Sequence, residues 1–310
     1  MSSPLFEAYR SSQPRPVTLL RLFFGIVIIG LCWLGTSLIA GFPALLGGDA
    51  DPLAYFSSKF GTLATLGSFI GIWIGVWIAT RFVHREAFAN VLGVSRRISA
   101  ADFMKGFAAV AVTSILSELL IYILDPRFER TELGMGIWLA FVIPVVLLCF
   151  VQTSAEELLF RGYLPRNLAN RFRSPLVWAL LPSLAFVGLH LTPGMAASQL
   201  ILVVVSIGTL TALMMFLVWL TGNLGAAFGI HMGNNLFGFV LVAHQEEFAG
   251  LALFRGVPVN DPAMGDDFAL ALGAIGIVCV GLTAILLLHS KSPLRVSGDA
   301  HEDPSGRHSG

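Results

Sequence analysis

Eight mostly apolar stretches divide the sequence, and a helix needs about 20 such residues to cross a bilayer. They are Leu22–Leu46, Phe60–Thr80, Phe107–Leu124, Ile137–Phe160, Leu176–His190, Ala197–Leu220, Leu224–Ala243 and Phe268–His289. The pattern predicts an all-α polytopic membrane protein with about eight transmembrane helices in one bundle. The fifth stretch is short when it starts at Leu176. The fourth reads on through the charged segment "TSAEELLFRGYL", Thr153–Leu164, as one helix. Residues 1–16 are a short lead and 17–289 the helical domain. Residues 290–310, rich in Ser, Gly, His and acids, read as a disordered tail. The segment Arg81–Ala101, with "HREAF" and "SRRIS", reads as an amphipathic interfacial connector. No internal repeat is visible.

Composition agrees with the pattern. The 310 residues are 55% hydrophobic and 12% charged, with a mean hydropathy of +0.79, whereas soluble domains carry about 25% charged residues. The net charge of zero offers no basic face, so a nucleic-acid partner is not expected. Cys32, Cys149 and Cys279 all lie in apolar runs and read as small core side chains. With eight spans, 15 of the 19 lysines and arginines fall on the side of the termini and 4 on the other. By the positive-inside rule both termini are then cytoplasmic, and the acidic loops Gly47–Ser58 and Gln245–Asp267 lie outside. The first run exceeds a signal-peptide core and lacks a cleavage signature, so it reads as a retained span. The expected location is the cell (plasma) membrane, with membrane lipids as immediate partners.

Ionisable groups inside spans are costly and mark function. Four places carry them: Glu156, Glu157 and Arg161; His190; His231 with Asn234 and Asn235; and Glu118. Glu157 and Arg161 are four apart and share a helix face, so Arg161 can hold Glu157 ionised. Glu156, about 100° round the axis, is left available. Helical rise of about 1.5 Å per residue places His231 roughly 12 Å into its span, Glu156 roughly 16 Å and His190 about 20 Å. All three can meet in the inner half to middle of the bilayer. His231 and Asn235 share one face. Each group also has a plainer use: the charges in headgroups, the histidines as helix–helix bonds, Glu118 turned outward. The glycines repeating every four residues, Gly225, Gly229 and Gly233 and likewise Gly67, Gly71 and Gly75, suit close helix packing.

A carboxylate and a neutral imidazole can activate water, and a second imidazole with an Asn amide can stabilise an oxyanion. Glu156, His190, His231 and Asn235 therefore suffice for peptide hydrolysis. Glu156, His190 and His231 could instead ligate one divalent metal such as zinc; the sequence leaves the two open. It contains neither the His-Glu-x-x-His zinc spacing nor a Gly-x-Ser-x-Gly nucleophile elbow.

"EELLFR" reads as Glu-Glu-x-x-x-Arg, "FVGLH" as Phe-x-x-x-His and "HMGNN" as His-x-x-x-Asn. In this order, on successive spans, they resemble the CAAX-protease and bacteriocin-processing family, which includes the type II CAAX prenyl endopeptidases. The resemblance covers about Phe141–Val242, within a protease core of about 137–243. It implies an intramembrane endopeptidase, open to the cytoplasm, that cuts near the C-terminus of a membrane-associated or prenylated protein or peptide. It makes Glu156 the water-activating residue, with His190, His231 and Asn235 assisting and Glu157 and Arg161 at the remaining motif positions. Two other readings stand beside it: a non-catalytic scaffold or immunity-type protein, and a proton-coupled transporter.

Overall fold

The computed structural model describes residues 3–13, 15–46, 52–56, 58–245, 250–259 and 264–298. Parts of both acidic loops and the end of the tail, 299–310, lie outside the described residues. Helix α1 (Pro4–Ser11) starts on Ser3, whose hydroxyl accepts from the Phe6 N–H. Then follow α2 (Leu19–Leu46), α3 (Lys59–His84), α4 (Ala100–Leu124), α5 (Met135–Arg171), α6 (Leu176–Gly188), α7 (Ala197–Thr221), α8 (Gly225–Val240) and α9 (Asp266–Leu288). Every apolar run forms a helix, and the all-α class holds. Among the described residues six helices, α2 to α5, α7 and α9, are long and apolar enough to cross a membrane. The fifth and seventh runs form the shorter α6 and α8. The 16 residues of α8 rise about 24 Å, against about 30 Å of hydrocarbon.

As expected, α5 runs unbroken past the glutamate pair, but a wider π turn, Leu158–Tyr163, interrupts its α geometry directly after Glu157. Gly222 ends α7 in the left-handed conformation (φ 63°), where a side chain would be strained. The neighbouring Asn223 side chain then accepts from the N–H groups of Gly225 and Ser99, at 2.8 and 3.0 Å, and so fixes the starts of α8 and α4 together. The glycine ridges pack within the bundle. A Cβ on Gly229 would strike the Phe103 carbonyl, and one on Gly106 the Ala226 carbonyl, so α4 and α8 meet backbone to backbone. Gly71 and Gly75 do the same against α2.

Three segments differ from expectation. The connector Arg81–Ala101 enters the protein: Arg85 takes the left-handed conformation (φ 56°), and Glu86 and Asn90 turn inward and are buried. The lead is a docked helix, with Phe6 and Tyr9 in the core. Residues 290–298 are not disordered: Ser297 and Gly298 donate backbone N–H groups to Asp102 at 3.0 and 3.1 Å, and Val296 is buried. A backbone that can satisfy a buried carboxylate offsets the entropy that polar composition alone would leave unopposed.

Glu118 does not turn outward. Both its carboxylate oxygens lie 3.1 Å from Nε2 of His244, whose Nδ1 bonds the Val257 carbonyl. The pair ties α4 to a small sheet in which β3 (Phe254–Arg255) lies between β1 (Glu129–Arg130) and β2 (Val242–Ala243).

Gly229→Val should lower stability by about 1–3 kcal/mol, as overpacking against backbone does. Gly35→Ala in α2, where an added Cβ meets nothing within 4 Å, should stay within about 0.5 kcal/mol. Thermal unfolding in detergent micelles compares the two.

Candidate active site

The glutamate pair sits where α5 leaves α geometry, and both side chains are buried. Glu157 Oε1 accepts from Arg161 Nη1 at 2.8 Å and bonds His231 Nδ1 on α8 at 2.7 Å. The i,i+4 ion pair read from the sequence is present, and Glu157 also holds one imidazole. Arg161 is fully buried. It donates from Nη2 to Thr211 on α7 at 3.0 Å, and its guanidinium lies 4.1 Å over the Phe186 ring. A carboxylate only accepts, so His231 carries its hydrogen on Nδ1, and Nε2 is the atom turned toward Glu156 Oε2 at 3.5 Å.

Glu156 stands apart from that ion pair, as its helical position predicts. Its Oε1 accepts from Gln152 Nε2 at 2.7 Å. Its Oε2 is buried and has no hydrogen-bond partner among the described residues. Glu156 lines a cavity of ≈ 680 Å³ together with His190 and Phe186, between α5, α6 and the apolar sides of α2 and α3. His190 bonds the Phe186 carbonyl from Nδ1 at 2.9 Å and lies on the Phe186 ring, with centroids 4.7 Å apart. The bond leaves Nε2 of His190 as an acceptor.

Asn235 reaches Glu156 through an intermediary. Its Nδ2 donates to Gln152 Oε1 at 3.1 Å, and Gln152 passes a donor on to Glu156. Asn234 is exposed and bonds Asn235. The fold thus brings Glu156, Glu157, Arg161, His231 and Asn235 together; His190 is exposed and joins them through the Phe186 ring and the cavity it shares with Glu156, while Glu118 is outside the group. Sequence reasoning missed Gln152 and Thr211, and had Phe186 only as the first position of Phe-x-x-x-His, with no role assigned. Gln152 was readable in principle, one turn before Glu156 on the same face; the other two come from distant spans.

Among the described residues no three His, Cys, Asp or Glu side chains gather closely enough to hold a metal ion. Glu156, His190 and His231 do not form such a group of three.

A second polar cluster braces the end of α5. Arg166 is fully buried, makes a two-pronged bond to Glu86 at 2.8 Å each, and donates to Ser12 and the Tyr9 carbonyl. His84 bonds the Tyr163 hydroxyl at 2.8 Å. Arg166 is a buried clamp between the end of α1, the connector and α5.

Comparison with known proteins finds a family model that matches about a third of the chain. Residues 137–237 match the Rce1-like family, the type II CAAX prenyl endopeptidases. The Rce1-like region contains all three motifs and the six residues named above. With the six long apolar helices it makes the chain an integral membrane protein. The uncharacterized protein YyaK of Bacillus subtilis (strain 168) is 24% identical over 222 residues, 71% of this chain and 73% of its own length. No solved structure matches the chain.

The two glutamates should respond oppositely to neutralisation. Glu157→Gln strands Arg161 in the interior and should cost about 3–5 kcal/mol. Glu156→Gln should leave unfolding temperature and folded yield near those of the parent. Equal stability of the two variants would erase the division between a structural and an available carboxylate.

Proposed function

We propose that this protein is a CAAX-type intramembrane endopeptidase that hydrolyses a peptide bond near the C-terminus of a membrane-associated, prenylated protein or peptide, using water activated by Glu156. The observation that carries the reading is the free Oε2 of a buried Glu156, 3.5 Å from His231 Nε2 and on one cavity with His190. A buried carboxylate oxygen without a partner is expensive; a water hydrogen-bonded to it offsets that cost and is at once the nucleophile.

Each side chain then has a task. Glu156 takes a proton from the water as its oxygen bonds to the scissile carbonyl carbon. His190, with Nε2 as acceptor, orients that water. His231 is fixed by Glu157 and steers from the opposite side. The Asn235 amide, held by Gln152, supplies a donor for the oxyanion. As the carbon–nitrogen bond breaks, Glu156 returns the proton to the leaving amine. Arg161 and Glu157 do no chemistry and keep His231 in place. The excess of lysines and arginines expected on the side of the termini supports cytoplasmic termini and a site whose mouth opens there. The apolar walls from Ile29, Trp33 and Phe69 suit a lipid-modified chain end.

Glu156→Gln should reduce cleavage at least about 100-fold, the usual worth of a general base, with the protein still folded and inserted. Comparative membrane proteomics of the two strains would show the uncut substrate accumulating. Full activity in the variant would remove Glu156 from the mechanism.

Gln152→Leu and Asn235→Leu should each lower kcat by about 10- to 100-fold, since hydrogen bonds to charged groups are worth about 1.5–3 kcal/mol. Because both act along one chain of bonds to Glu156, the double variant should lose less than the product of the single losses. Strict multiplicativity would mean that the two amides work independently.

A further inference from the structure

Helix α6 divides two spaces. Phe186 and His190 on one face look onto the Glu156 cavity. Leu180, Leu184 and Val187 on the other line a groove of ≈ 1160 Å³ against α7. Along its length the groove is apolar, with Trp178, Met215 and Trp219 among its walls. Its charged end is made by Glu7, Arg10 and Arg173. Arg10 is engaged there, by Glu7 at 2.6 Å and by the Ala169 carbonyl. Arg173 is exposed, and its guanidinium has no hydrogen bond or ion pair among the described residues. It therefore adds an unmatched positive charge to a mouth whose other two charges cancel.

Two further facts define the occupant. Gly208 lines the groove on α7, and a Cβ added there meets nothing within 4 Å, so the space is open along the helix. The α6 helix, Leu176–Gly188, rises only about 20 Å, short of the roughly 30 Å hydrocarbon core, so α6 alone does not wall the groove over the full depth of a bilayer. An acyl chain matches the walls, and a phosphodiester matches a free guanidinium on the side expected to carry most of the lysines and arginines.

We propose that the α6–α7 groove seats one chain of an anionic phospholipid, with the phosphate on Arg173. The site is separate from the Glu156 cavity and does not depend on the protease reading. Thr211 lines the groove and also accepts from Arg161, so a seated chain lies behind the Arg161–Glu157 pair and keeps water from it.

The test uses the full chain, delipidated in detergent and titrated with phosphatidylglycerol or phosphatidylcholine under native mass spectrometry. The parent should hold one phosphatidylglycerol about 10-fold more tightly than phosphatidylcholine, the worth of one charge-assisted hydrogen bond. Arg173→Gln should abolish that preference and Arg173→Lys should keep most of it. Gly208→Trp, which fills the open slot, should weaken both lipids. Unchanged thermal unfolding in lipid-free detergent establishes that the variants are folded. Equal binding of the two lipids to the parent overturns the proposal. So does parental affinity in Gly208→Trp, which would leave only a surface charge contact. An uncharged prenyl alcohol that displaces phosphatidylglycerol equally well with and without Arg173 would reassign the groove to another occupant.

Discussion

A charge inside a lipid-embedded bundle has to be matched where it lies, because removing one partner of a buried pair costs about 3–5 kcal/mol. Glu157 and Arg161 meet that requirement for each other at 2.8 Å. The same carboxylate oxygen also holds His231, and the same guanidinium reaches Thr211 and lies over Phe186. One ion pair on α5 therefore fixes side chains from α6, α7 and α8 at once. Three of the atoms left unbonded around it, Oε2 of Glu156 and Nε2 of His190 and His231, are aimed because the bonded atoms beside them are not free to move.

The pair is itself braced from the end of α5. Glu86 reaches Arg166 because the chain turns back through Arg85 in the left-handed region. Residues from α1 complete that clamp, with Ser12 and Tyr9 both accepting from Arg166. The π turn at Leu158–Tyr163 starts directly after Glu157, contains Arg161 and ends before Arg166. Such turns carry an extra residue per turn and recur at functional sites. This one lets α5 present Glu156 and Glu157 to the site and Arg166 to the clamp without a break in the helix.

Much of this was legible in the sequence, because bilayer thickness and the 3.6-residue period are strict. The helices, the Glu157–Arg161 pair, the approach of Glu156 to His231, and the glycine packing all follow from those two rules. What was not legible depends on partners far along the chain. Glu86 reads as a connector charge until Arg166, 80 residues away, is placed beside it. Phe186 reads as a span residue until Arg161 lies on its ring. Residues 290–298 are polar enough to read as disordered, and only the buried Asp102 of α4 explains their order. Gln152 is the exception: its spacing from Glu156 was in view, but an amide in an apolar run attracts less notice than a charge.

The α6 helix is a party wall, one helix thick, between two chambers. Phe186 faces Glu156 and Arg161, while Val187, the next residue, faces the groove. Packed interiors transmit displacement instead of absorbing it, so a molecule that shifts this helix from one side changes the shape offered on the other. Thermodynamic reciprocity then applies: whatever affinity one chamber's contents add to the other must be returned by the same factor. A protein built this way would have its grip on a bound molecule tuned by the bilayer around it.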